Sequence, residues 1–218
     1  MQACPSCGAG APLDAHFCPQ CTKILPLPRR ADYFSFLGLP RKLNVEAPVL
    51  EERFRTLSRQ FHPDYFYNAP PAERRASLER SSYLNDAYRT LKQPAGRIEY
   101  LLKLEGMAPD NPTEASRTVP PALLEEVFAL NEELDEIREA RAGGAPADVW
   151  RARLEQARQP IESKRVQHEA QLQELASRWD ASAVDGDRRA VLELLRDRFL
   201  ERNYIANLLA GIERELSS

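Results

Sequence analysis

Leu50-Glu-Glu-Arg-Phe-Arg-Thr-Leu-Ser-Arg-Gln-Phe-His-Pro-Asp64 carries a helix and its abrupt end in one segment. Leu50, Phe54, Leu57 and Phe61 recur at i, i+4, i+7 and i+11, which predicts a helix with a single apolar face. Pro48 suits its first turn. Arg53, Arg55 and Arg59 lie off that face and are expected in solvent. Pro63 disfavours helix at His62 and has no N–H to donate, so the helix stops there. An imidazole and a carboxylate, His62 and Asp64, are left at the tip of a helical hairpin beside a basic face. By itself the tripeptide could equally be a surface turn in which Asp64 accepts a local hydrogen bond.

Upstream, Asp32 is placed to cap a short helix through Leu37, which Gly38 ends. Downstream, a loop covers His62 to Pro71. A helix then runs from about Ala72 to Lys92, with Leu84, Ala87, Tyr88 and Leu91 inward. Pro94 stops it, and a short helix carries Arg97, Ile98, Tyr100, Leu101 and Leu102. Residues 107–121, rich in Pro, Asp and Asn, mark a boundary. Three helical stretches follow, about 121–142, 148–179 (with a kink expected near Pro160) and 187–216, the last opened by an Asp187 cap; short loops predict an antiparallel bundle. Fifteen of the 17 prolines fall at or before Pro121, so the first half is punctuated and the second is not.

Ala, Leu, Arg and Glu supply 103 of the 218 residues, while Val, Ile and Thr supply 19, which leaves little material for a sheet and excludes a parallel α/β enzyme fold. The predicted class is all-α. No apolar run approaches the ~20 residues of a membrane span. The first residues lack a basic and apolar leader, which predicts a cytoplasmic protein with reduced thiols. Residues 29–106 balance at +4 and residues 107–218 at −7. Two surfaces with different partners fit that asymmetry, whereas nucleic acid does not, because the acidic half would be repelled by phosphate.

All four cysteines lie at the start, as Cys4-Pro-Ser-Cys7 and Cys18-Pro-Gln-Cys21. Two Cys-x-x-Cys pairs ten residues apart predict a tetrahedral four-thiolate site, structural because no ligand position is left open. Zinc is the expected ion and iron the minority choice; a pair of disulfides is disfavoured by a reducing compartment. His16 adjoins the second pair but four sulfurs suffice. Leu25-Pro-Leu-Pro-Arg-Arg30 reads as a stiff linker, and the cores beyond it are expected to be independent of the head.

Three blocks, Asp32-Tyr-Phe-Ser-Phe-Leu-Gly-Leu39, His62-Pro63-Asp64 and Leu84-Asn-Asp-Ala-Tyr-Arg-Thr-Leu-Lys-Gln-Pro94, resemble in order and spacing the J-domain, the module that activates DnaK-class ATPase chaperones. Here Tyr65 follows the tripeptide where many J-domains have Lys. Arg97-Ile-Glu-Tyr-Leu-Leu102, Leu123 to Ile137 and Arg198-Phe-Leu-Glu-Arg202 narrow the resemblance to the HscB family, J-domain co-chaperones of iron–sulfur cluster assembly. A tetracysteine head occurs in part of that family. The resulting organisation is a head and linker over 1–28, a J-domain over 29–106, a linker over 107–121 and a three-helix scaffold-binding domain over 122–218.

The resemblance implies that His62, Pro63 and Asp64 contact an HscA/DnaK-class chaperone, with Arg53, Arg55 and Arg59 steering the encounter. The chain would perform no chemistry itself; its partner hydrolyses the ATP. The bundle would present an IscU-type scaffold. With Leu123 as zero and ~100° per residue, Val127, Leu130, Leu134 and Ile137 fall within about ±40°. Leu124 sits near ~100° and Phe128 near ~140°, with Glu132 and Glu136 following on the outer face. That face is either a docking patch or a surface covered by another helix. The resemblance favours docking and adds Phe199, while Glu125 and Ala129 exchange acidic and apolar character relative to family members. A J-domain protein with another client, the head acting as adaptor, is the alternative reading; a redox enzyme built on the cysteines is a distant third. Self-association is left open.

Overall fold

The computed structural model describes residues 1–28, 31–108, 119–182 and 185–217. The boundary expected at 107–121 lies largely outside them, as do Arg29 and Arg30. Among the described residues the chain is helical apart from short extended pieces at its start. Met1–Leu104 form one compact unit and Glu105–Ser218 a second.

In the first unit, β1 (Gln2–Ala3) pairs antiparallel with β2 (Gly10–Ala11). The helices are α1 (Tyr33–Phe36), α2 (Ala47–Phe61), α3 (Pro71–Lys92) and α4 (Pro94–Leu104), with a 3-10 turn over Pro63–Phe66. Asp32 caps α1 as expected: its carboxylate accepts from the Ser35 N–H at 2.8 Å, and the Ser35 hydroxyl accepts from the Asp32 N–H. Leu50, Leu57 and Phe61 of α2 are buried against Leu84, Ala87 and Leu91 of α3. Phe54 is half-buried and stacks on Tyr88 at 4.2 Å. Gly96 is required where α4 meets the end of α3, since a Cβ there would lie 2.6 Å from the Thr90 carbonyl oxygen.

The head does not stand apart on a linker. Ile24 belongs to the core of the helical hairpin, with Phe17 and Leu27 packed against it, and Leu25 is 1 % exposed. Lys23 pairs with Glu73 of α3, and the buried Arg80 donates to the Leu25 carbonyl. The expectation of independent cores is therefore corrected. Four cysteines on tight loops leave a 28-residue segment almost no interior, here Cys4, Ala11, Cys18 and Leu25, so its remaining apolar side chains find cover on the hairpin.

Among its described residues the second unit holds α5 (Leu124–Ala142, after a 3-10 turn at Pro121–Leu123), α6 (Ala147–Ala181) and α7 (Asp185–Ser217). The third helix thus starts before the Asp187 expected to cap it. Leu123, Val127, Leu130 and Ile137 pack with Trp150, Leu154 and Ile161 of α6 and Ile205, Leu209 and Ile212 of α7. Nineteen residues of α5 span about 28 Å, whereas the 35 of α6 span about 52 Å. The bundle is three helices thick over only part of its length. The helix continues through Pro160, which interrupts neither its start nor its end.

Candidate functional site

Three places collect the predicted residues. The first is the end of α2. His62 leaves the helix in extended conformation (φ −60°, ψ 126°), as a residue before proline should. The chain then turns through Pro63–Phe66. The Asp64 N–H lies 3.3 Å from His62 Nδ1, donating to it, and the Asp64 carboxylate is 3.5 Å from the same nitrogen. The Asp64 carboxylate is 86 % exposed and His62 49 %. Both are therefore presented outward, and neither contributes to a core. Tyr65, whose ring meets His62 edge-on at 6.1 Å, and Tyr67 are exposed beside them. Arg53, Arg55 and Arg59 are exposed along α2; Arg55 pairs with Glu51 at 2.8 Å, so part of that charge is already met within the helix.

Beneath the turn the packing is aromatic. Phe61, fully buried, lies 5.4 Å from Phe17 in a stacked pair and 6.0 Å from Phe36. Its carbonyl accepts from the hydroxyls of Ser77 at 2.7 Å and Ser81 at 2.9 Å, which satisfies the last turn of α2. Phe36 meets Tyr83, and Tyr33 stacks on Tyr100 at 4.3 Å.

The four cysteines are the second place. The knuckles match one another: the Gly8 N–H donates to the Cys4 carbonyl at 2.8 Å, and the Thr22 N–H to the Cys18 carbonyl at 2.9 Å. Gly8 (φ 75°) and Thr22 (φ 58°) both take the left-handed conformation that such a loop needs after its second cysteine. Cys4–Cys21 and Cys7–Cys18 sulfurs are 3.6 and 3.7 Å apart, and all four Sγ atoms lie within 4.8 Å of one another. A tetrahedron with metal–sulfur bonds of about 2.3 Å has an edge of about 3.8 Å, so the donor set fits a four-thiolate ion. The electrostatics agree. The Cys21 N–H leads the effects that bring the Cys18 thiol down to about 6. At Cys21 the Lys23 N–H pulls downward, but burial and the three neighbouring sulfurs push the thiol up to about 12. One thiolate forms easily and the next is opposed, a conflict that a bound cation removes. His16 is not a ligand: its ring packs on Phe36 at 4.8 Å, and burial holds it below the usual histidine range.

The third place is α5. Leu124 is 41 % and Phe128 66 % exposed, so no other helix among the described residues of the unit covers them. Glu132 and Glu136 continue the same stripe, four residues apart. Glu136 is engaged, 2.6 Å from Arg153, which also holds Glu133 at 2.8 Å. Beside the stripe, Glu126, Ala129 and Glu133 face Arg153, Gln156 and Pro160 across an open groove of ≈ 460 Å³. Phe199 departs from its expected position on the surface: it is 6 % exposed. It is unavailable as a surface contact.

No family model matches the chain. Among solved structures, the crystal structure of the human co-chaperone protein HscB matches with a TM-score of 0.72, 25 % identity and 98 % of both chains covered. The chaperone HscB of Vibrio cholerae matches with a TM-score of 0.59 and 28 % identity, over 86 % of this chain and 98 % of its own. In fold and over most of its length the chain is therefore similar to HscB co-chaperones. The likeness spans nearly the whole length, so the J-type hairpin and the bundle are matched in one architecture.

What sequence reasoning missed in this chain is the anchoring of the turn by the head. A signal was available: Phe17 before Cys18 and Ile24-Leu25 after Cys21 place apolar residues on both strands of the second knuckle, more than the head can bury alone.

Proposed function

We propose that this protein is a J-domain co-chaperone of iron–sulfur cluster assembly. It stimulates the ATPase of an HscA/DnaK-class chaperone and delivers an IscU-type scaffold to it. The observation that carries this reading is the outward presentation of His62 and Asp64 on a turn whose base is buried. Those side chains cost the fold nothing and are offered to a partner, where they favour the hydrolysis-competent state of the chaperone. Arg53, Arg55 and Arg59 add positive potential near the turn, which speeds encounter with an acidic surface more than it tightens the complex. The domains assigned from the sequence serve these two contacts, the hairpin for the chaperone and the bundle for the client.

The scaffold docks on Leu124 and Phe128, rimmed by Glu132 and Glu136. An exposed apolar pair in an acidic surround matches a partner with apolar anchors and basic neighbours. Zn²⁺ occupies the four sulfurs and supplies structure, holding the knuckles together; the sulfurs leave it no open position for chemistry. No helix among the described residues is long and apolar enough to cross a membrane, and action in the cytoplasm is part of the proposal.

The test is a reconstituted ATPase assay with an HscA-type chaperone and an IscU-type scaffold. The protein should raise turnover, and His62→Gln should abolish the increase at unchanged helical content. Normal stimulation by that variant defeats the proposal. Stimulation without scaffold binding leaves the J-domain function intact and points to another client.

A further inference from the structure

The tetracysteine head contributes no residue to either proposed docking surface, yet it is pressed against the residue next to one of them. The strands that flank the second knuckle pair at Phe17 and Ile24, and the Leu25 N–H donates to the His16 carbonyl at 2.9 Å. The face of this hairpin that points away from the sulfurs meets the end of α2. Phe17 lies stacked on Phe61 (5.4 Å, 16°), and His16 meets the same ring edge-on (5.4 Å, 89°). Ile24 joins the surrounding core, Arg80 of α3 is tied to the Leu25 carbonyl, and Lys23 to Glu73. Phe61 is the last residue of α2, and His62 follows it directly.

The position of the His62-Pro63-Asp64 turn is thus set by Phe61, held from three sides: its ring by Phe36 of α1, its carbonyl by Ser77 and Ser81 of α3, and its ring again by His16 and Phe17 of the head. The third side differs from the others in kind. Helices α1 and α3 are held by their own cores, whereas the head's strands also depend on two loops whose four thiols a shared ion would lock together. We propose that His16 and Phe17 are positioning residues for the His62-Pro63-Asp64 turn, and that metal occupancy of the head thereby sets how well this turn is ordered for its chaperone. The inference rests on the metal reading of the four cysteines. Its consequence is that a co-chaperone without its ion keeps all of its chaperone-contacting residues but holds them less firmly.

The chain has three histidines, His16, His62 and His168, so their ring C–H resonances can be followed by NMR in the full-length protein. In Phe17→Ala, which leaves all four cysteines in place, the His62 signals should shift and broaden while those of His168, in the other unit, stay fixed. Maximal ATPase stimulation should fall several-fold, and Phe17→Leu should restore both readouts. Chelation of the parent protein should move the His62 signals in the same direction. Should Phe17→Ala not fold, Glu73→Gln cuts the Lys23 link at the surface and should give a smaller shift of the same sense. His62 signals identical to the parent's in the folded Phe17 variant, or under chelation that demonstrably disorders the head, overturn the proposal. Metal analysis separates the premises. Absence of any bound ion in the parent defeats the metal reading, whereas an unmoved His62 in a metal-loaded Phe17→Ala protein defeats the positioning role alone.

Discussion

The turn at His62-Pro63-Asp64 and the stripe on α5 solve the problem of presenting a surface in opposite ways. The turn exposes polar groups on irregular backbone, and its precision comes from below, from Phe61 and the aromatic rings around it. The stripe exposes apolar groups on a regular helix. Its precision comes from the helix itself, since Leu124, Phe128, Glu132 and Glu136 are aligned by four-residue spacing whatever lies beneath them. The turn should therefore be sensitive to changes in its support, and the stripe mainly to changes in its own side chains.

The largest contrast is expected from direct hits. His62→Gln or Asp64→Asn should reduce chaperone stimulation to background with melting temperature unchanged, as read by ATPase assay and thermal denaturation. An early melt would show that these side chains serve the fold.

Loss of the head comes next. Cys7→Ser with Cys18→Ser should release about one equivalent of metal and destabilise the first unit by roughly 3 kcal/mol or more, because covered surface on Phe61 and the apolar contacts of Ile24 and Phe17 are lost together. Denaturant melts of the full chain measure this. An unchanged first transition would mean that the hairpin core is complete without the head.

On α5 the two faces should separate cleanly. Leu130→Ala, on the buried stripe, should cost ~2–5 kcal/mol of stability. Leu124→Ala with Phe128→Ala should cost much less, yet weaken scaffold binding by about 2–4 kcal/mol. Calorimetric titration beside a melting curve decides it, and a large stability loss with unchanged affinity would move the docking face elsewhere.

The smaller effects test the support of the turn. At Asp32 burial pushes the carboxyl up, but the Ser35 N–H and the Arg41 guanidinium outweigh it and leave the group below the usual carboxylate range. A depressed folded-state pKa means that the cap's contribution is complete above the unfolded value and is lost as pH falls through the folded one. Asp32→Asn should therefore cost ~1 kcal/mol at neutral pH, a difference that narrows below about pH 4 in pH-dependent melts. Thr22→Gly should relieve a β-branched residue held at φ 58°, gain up to ~1 kcal/mol, and slow loss of metal to a chelator.

Much of the molecule is local in origin and so was legible along the chain. The heptad-like spacing of Leu50 to Phe61, the stop at His62-Pro63, the Asp32 cap and the two Cys-x-x-Cys loops are each decided within a few residues by dihedral preference, capping and periodicity. That Leu124 and Phe128 lie off the core stripe followed from wheel geometry in the same way, whereas their exposure did not. The failures concern residues whose fate is settled by distant partners. Leu25 opens a proline-rich run that reads as a linker, yet it is buried with Cys4, Ala11 and Cys18, and its carbonyl is held by Arg80. Phe199 matches a surface contact by family pattern, but packing leaves it buried. His16, weighed along the chain only as a spare ligand, packs with Phe17 on the ring of Phe61. Periodicity and turn chemistry specify what each segment is, because those interactions span four residues or fewer. Which apolar side chain is left outside is decided by competition for a limited interior, and that competition is resolved only when the whole chain packs.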